Sequence, residues 1–351
     1  MEKVDVLVVG AGPSGSSCAA VIADAGFNVI MIEKRPSIGE PVQCAEYIPK
    51  LFLKELSIKR DFIANEIFSM KTFVDFSESI ETKSPGYLID RKRFDRALCL
   101  DAIRKGAKII IGAKAETIDD GIVSVRTKDE KAEFQAKIIV GADGSFSTVG
   151  RWIGSKNHSF VNTYQAELLK KGETNSTKVY FFEECAAGYG WIFPKRDTFN
   201  IGVGVGIRFK KNPLVVLDDF LDKLYLKKRE CIRFSKGLIP VGGILNTTVK
   251  DNILLVGDAA GLAHPITGAG IPQAVISGKM AGSVIVKFLK NNDNALLKNY
   301  DTGILELWGD YIGTAQRKRK YMERNWNKEN LKNLIRNTWV AFKEYYQRVN
   351  E

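Results

Sequence analysis

Histidine is almost missing. The 351 residues include only His158 and His264, so a histidine-ligated metal site is not expected, and the acidic residues form no ligand cluster in the sequence. Cysteine is scarce and unpatterned. Cys18, Cys44, Cys99, Cys185 and Cys231 are odd in number and lack a CxxC spacing, which argues against a disulfide framework and fits a reducing compartment. No repeat or low-complexity tract occurs. A clean membrane span is also lacking, because the longest apolar tract, residues 252–289, is broken by Asp258, Pro265, Pro272 and several glycines. The first residues read directly as a strand, so no signal peptide is expected. These absences together point to a cytoplasmic protein.

What is present is an apolar fraction of 45% with 31 glycines, the balance of an α/β chain with ample core. The net charge of +11 favours an anionic surface or a phosphorylated ligand, and a lysine-rich solvated surface accounts for it equally well. No nucleic-acid-binding fold accompanies the charge, so nucleic acid is not an expected partner.

The β-branched run Val4–Val9 reads as a buried parallel strand. It leads into Gly10-x-Gly12-x-x-Gly15, then an Ala- and Ser-rich helix, then a second strand ending at Glu33. Gly10 permits the tight turn, Gly12 lets a pyrophosphate approach the backbone, and Gly15 lets helix and strand pack closely. Unpaired N–H groups of the helix N-terminus, with Ser14 in the first turn, face the phosphates. Glu33 stands where a carboxylate accepts from a ribose hydroxyl, and its charge repels a 2′-phosphate. The site therefore suits the ADP half of FAD or NAD.

A second motif lies some 240 residues on. The apolar run Ile253–Val256 ends at Gly257-Asp258, and Gly268-Ala269-Gly270-Ile271 opens another helix. Asp258 can bind a ribityl hydroxyl. The helix N-terminus at Gly268, Gly270 and Ile271 can stabilise negative charge on a reduced isoalloxazine. Two holders so far apart in sequence fit a flavin dinucleotide better than a nicotinamide.

These motifs, with Gly141-Ala142-Asp143-Gly144 and Arg151, resemble the p-hydroxybenzoate-hydroxylase-like FAD superfamily. Within it the chain resembles the geranylgeranyl reductases, through Gly39–Glu46, Tyr87 to Asp95, and Tyr189-Gly190-Trp191-Ile192-Phe193-Pro194-Lys195. The resemblance covers roughly residues 1–290. It implies FAD contacts from Ser14, Glu33, Cys44, Ala45, Tyr47, Arg91, Ala115, Asp143, Asp258, Gly270 and Ile271. It also implies reduction of C=C bonds in prenyl chains of an isoprenoid lipid, by flavin hydride transfer plus protonation. Family members often carry Gly where Tyr47 stands, so a bulky ring beside the flavin is a departure.

Proton-donor candidates are Cys44, Tyr47, Glu46 and His264. Cys44 reads either as a small buried thiol or as a catalytic group, and His264 as a donor, a cofactor partner or a cap. Tyr189, Trp191 and Phe193 on a probable strand read as a lipid channel or as sheet core. Val203-Gly204-Val205-Gly206 is not a second dinucleotide site, since Ile207–Phe209 continues as strand-like sequence. Electrons then come from NAD(P)H at a surface groove or from a ferredoxin-like partner.

The expected architecture is α/β (α+β). A discontinuous Rossmann-like FAD-binding domain takes residues 1–66, 86–158 and 237–290. A mixed or antiparallel substrate sheet takes 67–85 and 159–236, and residues 291–351 form a basic helical region. In that last region Leu331, Ile335, Trp339, Phe342 and Tyr346 share one helical face, near the basic run Gln316–Lys320. The face either lies on an anionic lipid surface, making the protein peripheral to the inner face of a membrane, or packs on the body. Two rival functions share the scaffold: an FAD-dependent monooxygenase or halogenase-like enzyme, and a non-catalytic flavin- and lipid-binding protein.

Overall fold

The computed structural model describes residues 1–347 except 129, 170, 171, 173 and 328. The strand Glu2–Val9 lies at the centre of a parallel core, flanked by Val29–Glu33 on one side and Lys131–Gly141 on the other. Lys108–Ile111 and Ile253–Leu255 extend the parallel set outward. Both faces of the central strand are covered, so Val6, Leu7 and Val8 are fully buried, as expected of a continuous aliphatic run in a parallel sheet. The hairpin Lys114–Asp119 and Ile122–Arg126 joins the near half of Lys131–Gly141 antiparallel.

Two helices from opposite ends of the chain meet over this sheet. Helix Pro13–Asp24 begins at Gly12 with proline in its first turn, and helix Ile271–Asn291 begins at Gly270 the same way. Their backbones touch because Gly278 lacks a side chain: a Cβ there would sit 2.2 Å from the Ser14 carbonyl oxygen. The two motif loops are thereby held as neighbours despite their separation in sequence.

A second eight-stranded sheet runs Cys231–Pro240, Phe160–Leu169, Thr198–Gly206, Gly190–Pro194, Ser176–Phe181, Ile63–Val74, Ser77–Ile89, Tyr47–Pro49. It is antiparallel except where Ser176–Phe181 pairs with Ile63–Val74. Helix Pro213–Lys223, capped by Asn212, covers one face through Val216, Leu217, Phe220 and Leu221. The fold is thus the expected Rossmann-like layer with a mixed sheet and C-terminal helices. One local reading changes. Ile207–Phe209 forms a 3₁₀ turn, not strand, ending at Lys210 in the left-handed region.

The C-terminal region departs further. Helix Lys298–Arg324 is long, but Leu331–Thr338 stops early, and Lys343–Tyr346 is a separate 3₁₀ turn. Leu331, Leu334, Ile335, Trp339, Phe342 and Tyr345 are buried against Val74, Val179, Phe181 and Ile266. Each such side chain stabilises by about 1.5–3 kcal/mol when fully buried, so the stripe is core and not a lipid-facing surface. Tyr346 alone of the expected face is exposed. Within the basic run, Lys318 and Arg319 are buried too. Arg348 lies outside the described residues, as does Lys328. No helix among the described residues is long and apolar enough to cross a membrane.

Candidate functional site

A cavity of about 1730 Å³ lies between the parallel layer and the inner face of the second sheet. Its polar end is built by the first motif. Gly10 adopts φ +105°, and a Cβ there would meet the Ala142 carbonyl oxygen at 2.4 Å. A Cβ on Gly15 would lie 1.9 Å from the Gly10 oxygen. Those two glycines shape the turn without lining the cavity, whereas Gly12 and Ser14 line it. No side chain caps the helix N-terminus at Gly12, so its N–H groups remain available to a ligand. The Glu33 carboxylate is fixed by the N–H groups of Ala11 (3.1 Å) and Arg35 (3.0 Å). It keeps lone pairs for further donors.

The middle of the cavity carries the charged cluster. Arg91 makes a two-pronged pair with Asp95, at 2.9 and 3.0 Å. Burial opposes its charge, but the Asp95 carboxylate prevails and raises its pKa. Burial pushes the Asp258 carboxyl up, opposed by Arg91 and by a hydrogen bond from Ser145. Asp258 faces Gly270, where a second uncapped helix N-terminus opens on the same cavity with Gly268 and Ile271. Burial likewise pushes the Cys44 thiol up against the pull of Arg91. Its sulfur accepts the Glu46 N–H at 3.2 Å, and Ala45 lines the wall beside it.

The aromatic end belongs to the second sheet and the C-terminal segment. Tyr47 donates to or accepts from the Ser84 hydroxyl at 2.9 Å and meets Phe193 edge-on at 6.4 Å. Its ring has room because Gly86 is opposite: a Cβ there would lie 2.5 Å from the Tyr47 hydroxyl. Burial raises the Tyr47 pKa, so the phenol keeps its proton. Trp191 packs on Gly202, and the Tyr189 hydroxyl donates to the Thr267 carbonyl at 2.5 Å. Trp339 closes this end, its indole N–H bound to Thr72 at 3.1 Å. Nothing in the amino-acid pattern marked Trp339 as a cavity residue, nor Met70 and Val340 beside it. Gln165, also lining the cavity, donates to the Cys44 carbonyl at 3.1 Å, and no motif in the chain points to it.

Several expected residues stand apart. His264 is fully buried and lies outside the cavity lining. Its Nδ1 accepts the N–H groups of Ile266 (3.3 Å) and Thr267 (3.1 Å), and burial lowers its pKa to about 4. It is a neutral staple for the turn beneath the second motif. Glu46 lines the cavity with little exposure, and its carboxylate is already engaged by Lys195 (2.8 Å), Asn200 (2.7 Å) and the Arg91 N–H (2.8 Å). The Asp143 carboxylate is taken up by Ser147 and the N–H groups of Thr148 and Val149. It therefore positions the Gly144–Phe146 rim through the start of a helix. Ala115 packs in the core and does not line the cavity.

The residues present fit FAD. Two uncapped helix N-termini, the Glu33 carboxylate, Asp258 and Arg91 open on one cavity, and dinucleotide phosphates favour such ends. Among the described residues no group of side chains could hold a metal ion.

Comparison with known proteins agrees. Residues 160–239 match the geranylgeranyl reductase catalytic domain, residues 8–50 the NAD(P)-binding Rossmann-like domain, and residues 215–350 the lycopene cyclase protein family. The digeranylgeranylglycerophospholipid reductase of Methanococcus vannielii is 35% identical over 86% of this chain and 82% of its own. That of Methanocaldococcus jannaschii is 35% identical over 92% and 88%. Among solved structures, a geranylgeranyl bacteriochlorophyll reductase-like protein of Thermoplasma acidophilum superposes with a TM-score of 0.82 at 28% identity, covering 99% of both chains. A flavin-dependent brominase shares the fold alone, with a TM-score of 0.73 at 19% identity over 97% and 96%. The chain belongs to the geranylgeranyl reductase family, alongside the digeranylgeranylglycerophospholipid reductases.

Proposed function

We propose that this chain is an FAD-dependent reductase of the prenyl double bonds of an isoprenoid lipid, of the digeranylgeranylglycerophospholipid kind. The observation that carries the reading is a single cavity with a dinucleotide-holding end and an aromatic, largely buried end. An isolated prenyl double bond is unpolarised, so its reduction calls for a hydride at one carbon, a proton at the other, and a dry site. Bound FAD supplies the hydride. The chain supplies the rest: Trp191, Phe193 and Trp339 hold the prenyl chain and exclude water.

The proton source is Cys44. Its thiol keeps its proton at neutral pH because burial raises its pKa. The thiolate left after donation is met by the Arg91 charge and the Glu46 N–H, and is reprotonated from solvent before the next turnover. Cys44→Ala should lower turnover by roughly 10²–10⁴-fold, the usual worth of a positioned acid, while flavin absorbance stays unchanged. Undiminished turnover would move the proton source to Tyr47.

Electrons reach the site from NAD(P)H or from a ferredoxin-like protein. Supplying each donor in turn with a geranylgeranylated glycerophospholipid, and weighing the product, tests both the donor and the reaction. A gain of two hydrogens per reduced bond is the expected result. An oxygenated product formed only in air would favour the monooxygenase reading instead.

A further inference from the structure

The aromatic end of the main cavity leads to solvent along a traceable wall. Phe193 meets the Tyr47 ring, and the Tyr47 hydroxyl meets the Ser84 hydroxyl. Ser84 stands between Lys83 and Pro85, which line the cavity together with Pro49, Lys50 and Leu51. The strand register brings these two short runs side by side, since Pro49 lies opposite Gly86 at one edge of the second sheet. Pro49, Lys50, Leu51, Lys83 and Pro85 are all exposed, so the wall ends here in a rim.

The rim joins apolar side chains to unpaired positive charge. Leu51 is 74% exposed although it lines a cavity. Phe68 is 56% exposed, and strand alternation puts it on the face from which Met70 lines the same cavity. Lys50–Glu55 is a 3₁₀ turn, in which side chains three apart eclipse, so the exposed Lys54 stands beside Leu51. The carboxylates nearby are already engaged: Glu66 by Lys50 at 2.9 Å, and Glu81 by Ser69 at 2.6 Å and Lys71 at 3.6 Å. Neither Lys54 nor Lys83 pairs with a carboxylate among the described residues. The cavity also exposes Tyr311 and Tyr346, but the charged lining residue beside them is Asp310.

We propose, resting on the reading of the substrate as an isoprenoid lipid, that the rim of Leu51, Lys54, Phe68 and Lys83 docks the protein on a bilayer of anionic phospholipid. Leu51 and Phe68 enter the headgroup layer, and the two ammonium groups meet lipid phosphates. A prenyl chain then passes from the bilayer to Tyr47 and Phe193 without crossing open water, which would wet its whole apolar surface. The membrane contact falls on the edge of the second sheet and not on the C-terminal stripe, which is core.

Co-sedimentation of the FAD-loaded protein with phosphatidylcholine vesicles, with and without phosphatidylglycerol, tests the face without any turnover. Binding to the phosphatidylglycerol vesicles that weakens in high salt is expected. No binding, or equal binding to the neutral vesicles, overturns the proposal. Leu51→Glu should weaken binding roughly tenfold and Lys83→Ala about fivefold. Ile232→Glu lies on the strand at the opposite edge of the same sheet, is 69% exposed, and should change nothing. All three side chains are exposed, so flavin content should match the unaltered protein. An equal loss in Ile232→Glu, or a loss confined to Tyr346→Glu, places the contact elsewhere and also overturns the proposal. A protein that reduces detergent-dispersed lipid but ignores vesicles sinks only this face. One that binds vesicles through Leu51 but reduces no lipid sinks only the reductase reading.

Discussion

The two ends of the main cavity are built on different principles. At the end that fits a dinucleotide the backbone forms the wall: Gly10, Gly12 and Gly15 shape a turn, and uncapped N–H groups open on the cavity. At the aromatic end side chains do it, brought together from the second sheet and from the C-terminal segment. Backbone binding demands one residue type at fixed spacing, so it is written locally in the sequence. A side-chain wall needs only volume and apolarity, which many residues supply from many places. The first end therefore announces itself as a motif, and the second emerges only when the chain is folded.

That contrast predicts that the ends fail separately. The largest effect is expected at Gly15. Gly15→Ala places a Cβ 1.9 Å from the Gly10 oxygen, and a backbone clash of that depth cannot relax cheaply. Purified protein should lack flavin colour, and a yellow, stable variant would break the turn assignment. Trp339→Ala attacks the other end. Removing a buried tryptophan costs about 3–5 kcal/mol, together with the bond to Thr72. Chemical denaturation should show that loss while FAD affinity stays near wild type. Loss of flavin in Trp339→Ala would merge the two ends into one unit.

A third effect is set by pH. His264 has a folded pKa of about 4, below its ordinary 6.5, so the unfolded chain binds a proton that the folded chain refuses. The stabilisation is present above pH 6.5 and is lost as pH falls toward 4, by up to about 3 kcal/mol. His264→Gln should remove that dependence from the difference between the two stability curves. Parallel curves would place the acid sensitivity elsewhere. The smallest effect belongs to Glu33. Glu33→Ala should weaken FAD by about 1–3 kcal/mol, as for hydrogen bonds to a charged group, read by equilibrium titration. Unchanged affinity would leave the carboxylate with only its backbone partners, Ala11 and Arg35.

The Rossmann-like layer was legible because its strand, turn and helix follow one another within Val4–Glu33, and the second motif repeats the pattern at Gly257–Ile271. Their meeting through Gly278 was not, since a small residue in a helix has no local signature of its partner. His264 shows a related limit: a histidine next to a flavin-binding turn looks functional, while the partners it finds are two backbone N–H groups. The C-terminal stripe was legible as amphipathic but not in its destination. Periodicity tells which face is apolar and says nothing about whether lipid or protein covers it. Ile207–Phe209 shows the limit of short β-branched and aromatic runs, where a 3₁₀ turn and a strand read alike.

The central claim is that one cavity joins flavin to a prenyl chain. Its most direct measurement follows the flavin spectrum of the reduced holoenzyme under strict anaerobiosis while a geranylgeranylated glycerophospholipid is added. Reoxidation in step with appearance of saturated lipid is the predicted result. A flavin that stays reduced until air is admitted, with the lipid unchanged, would contradict it.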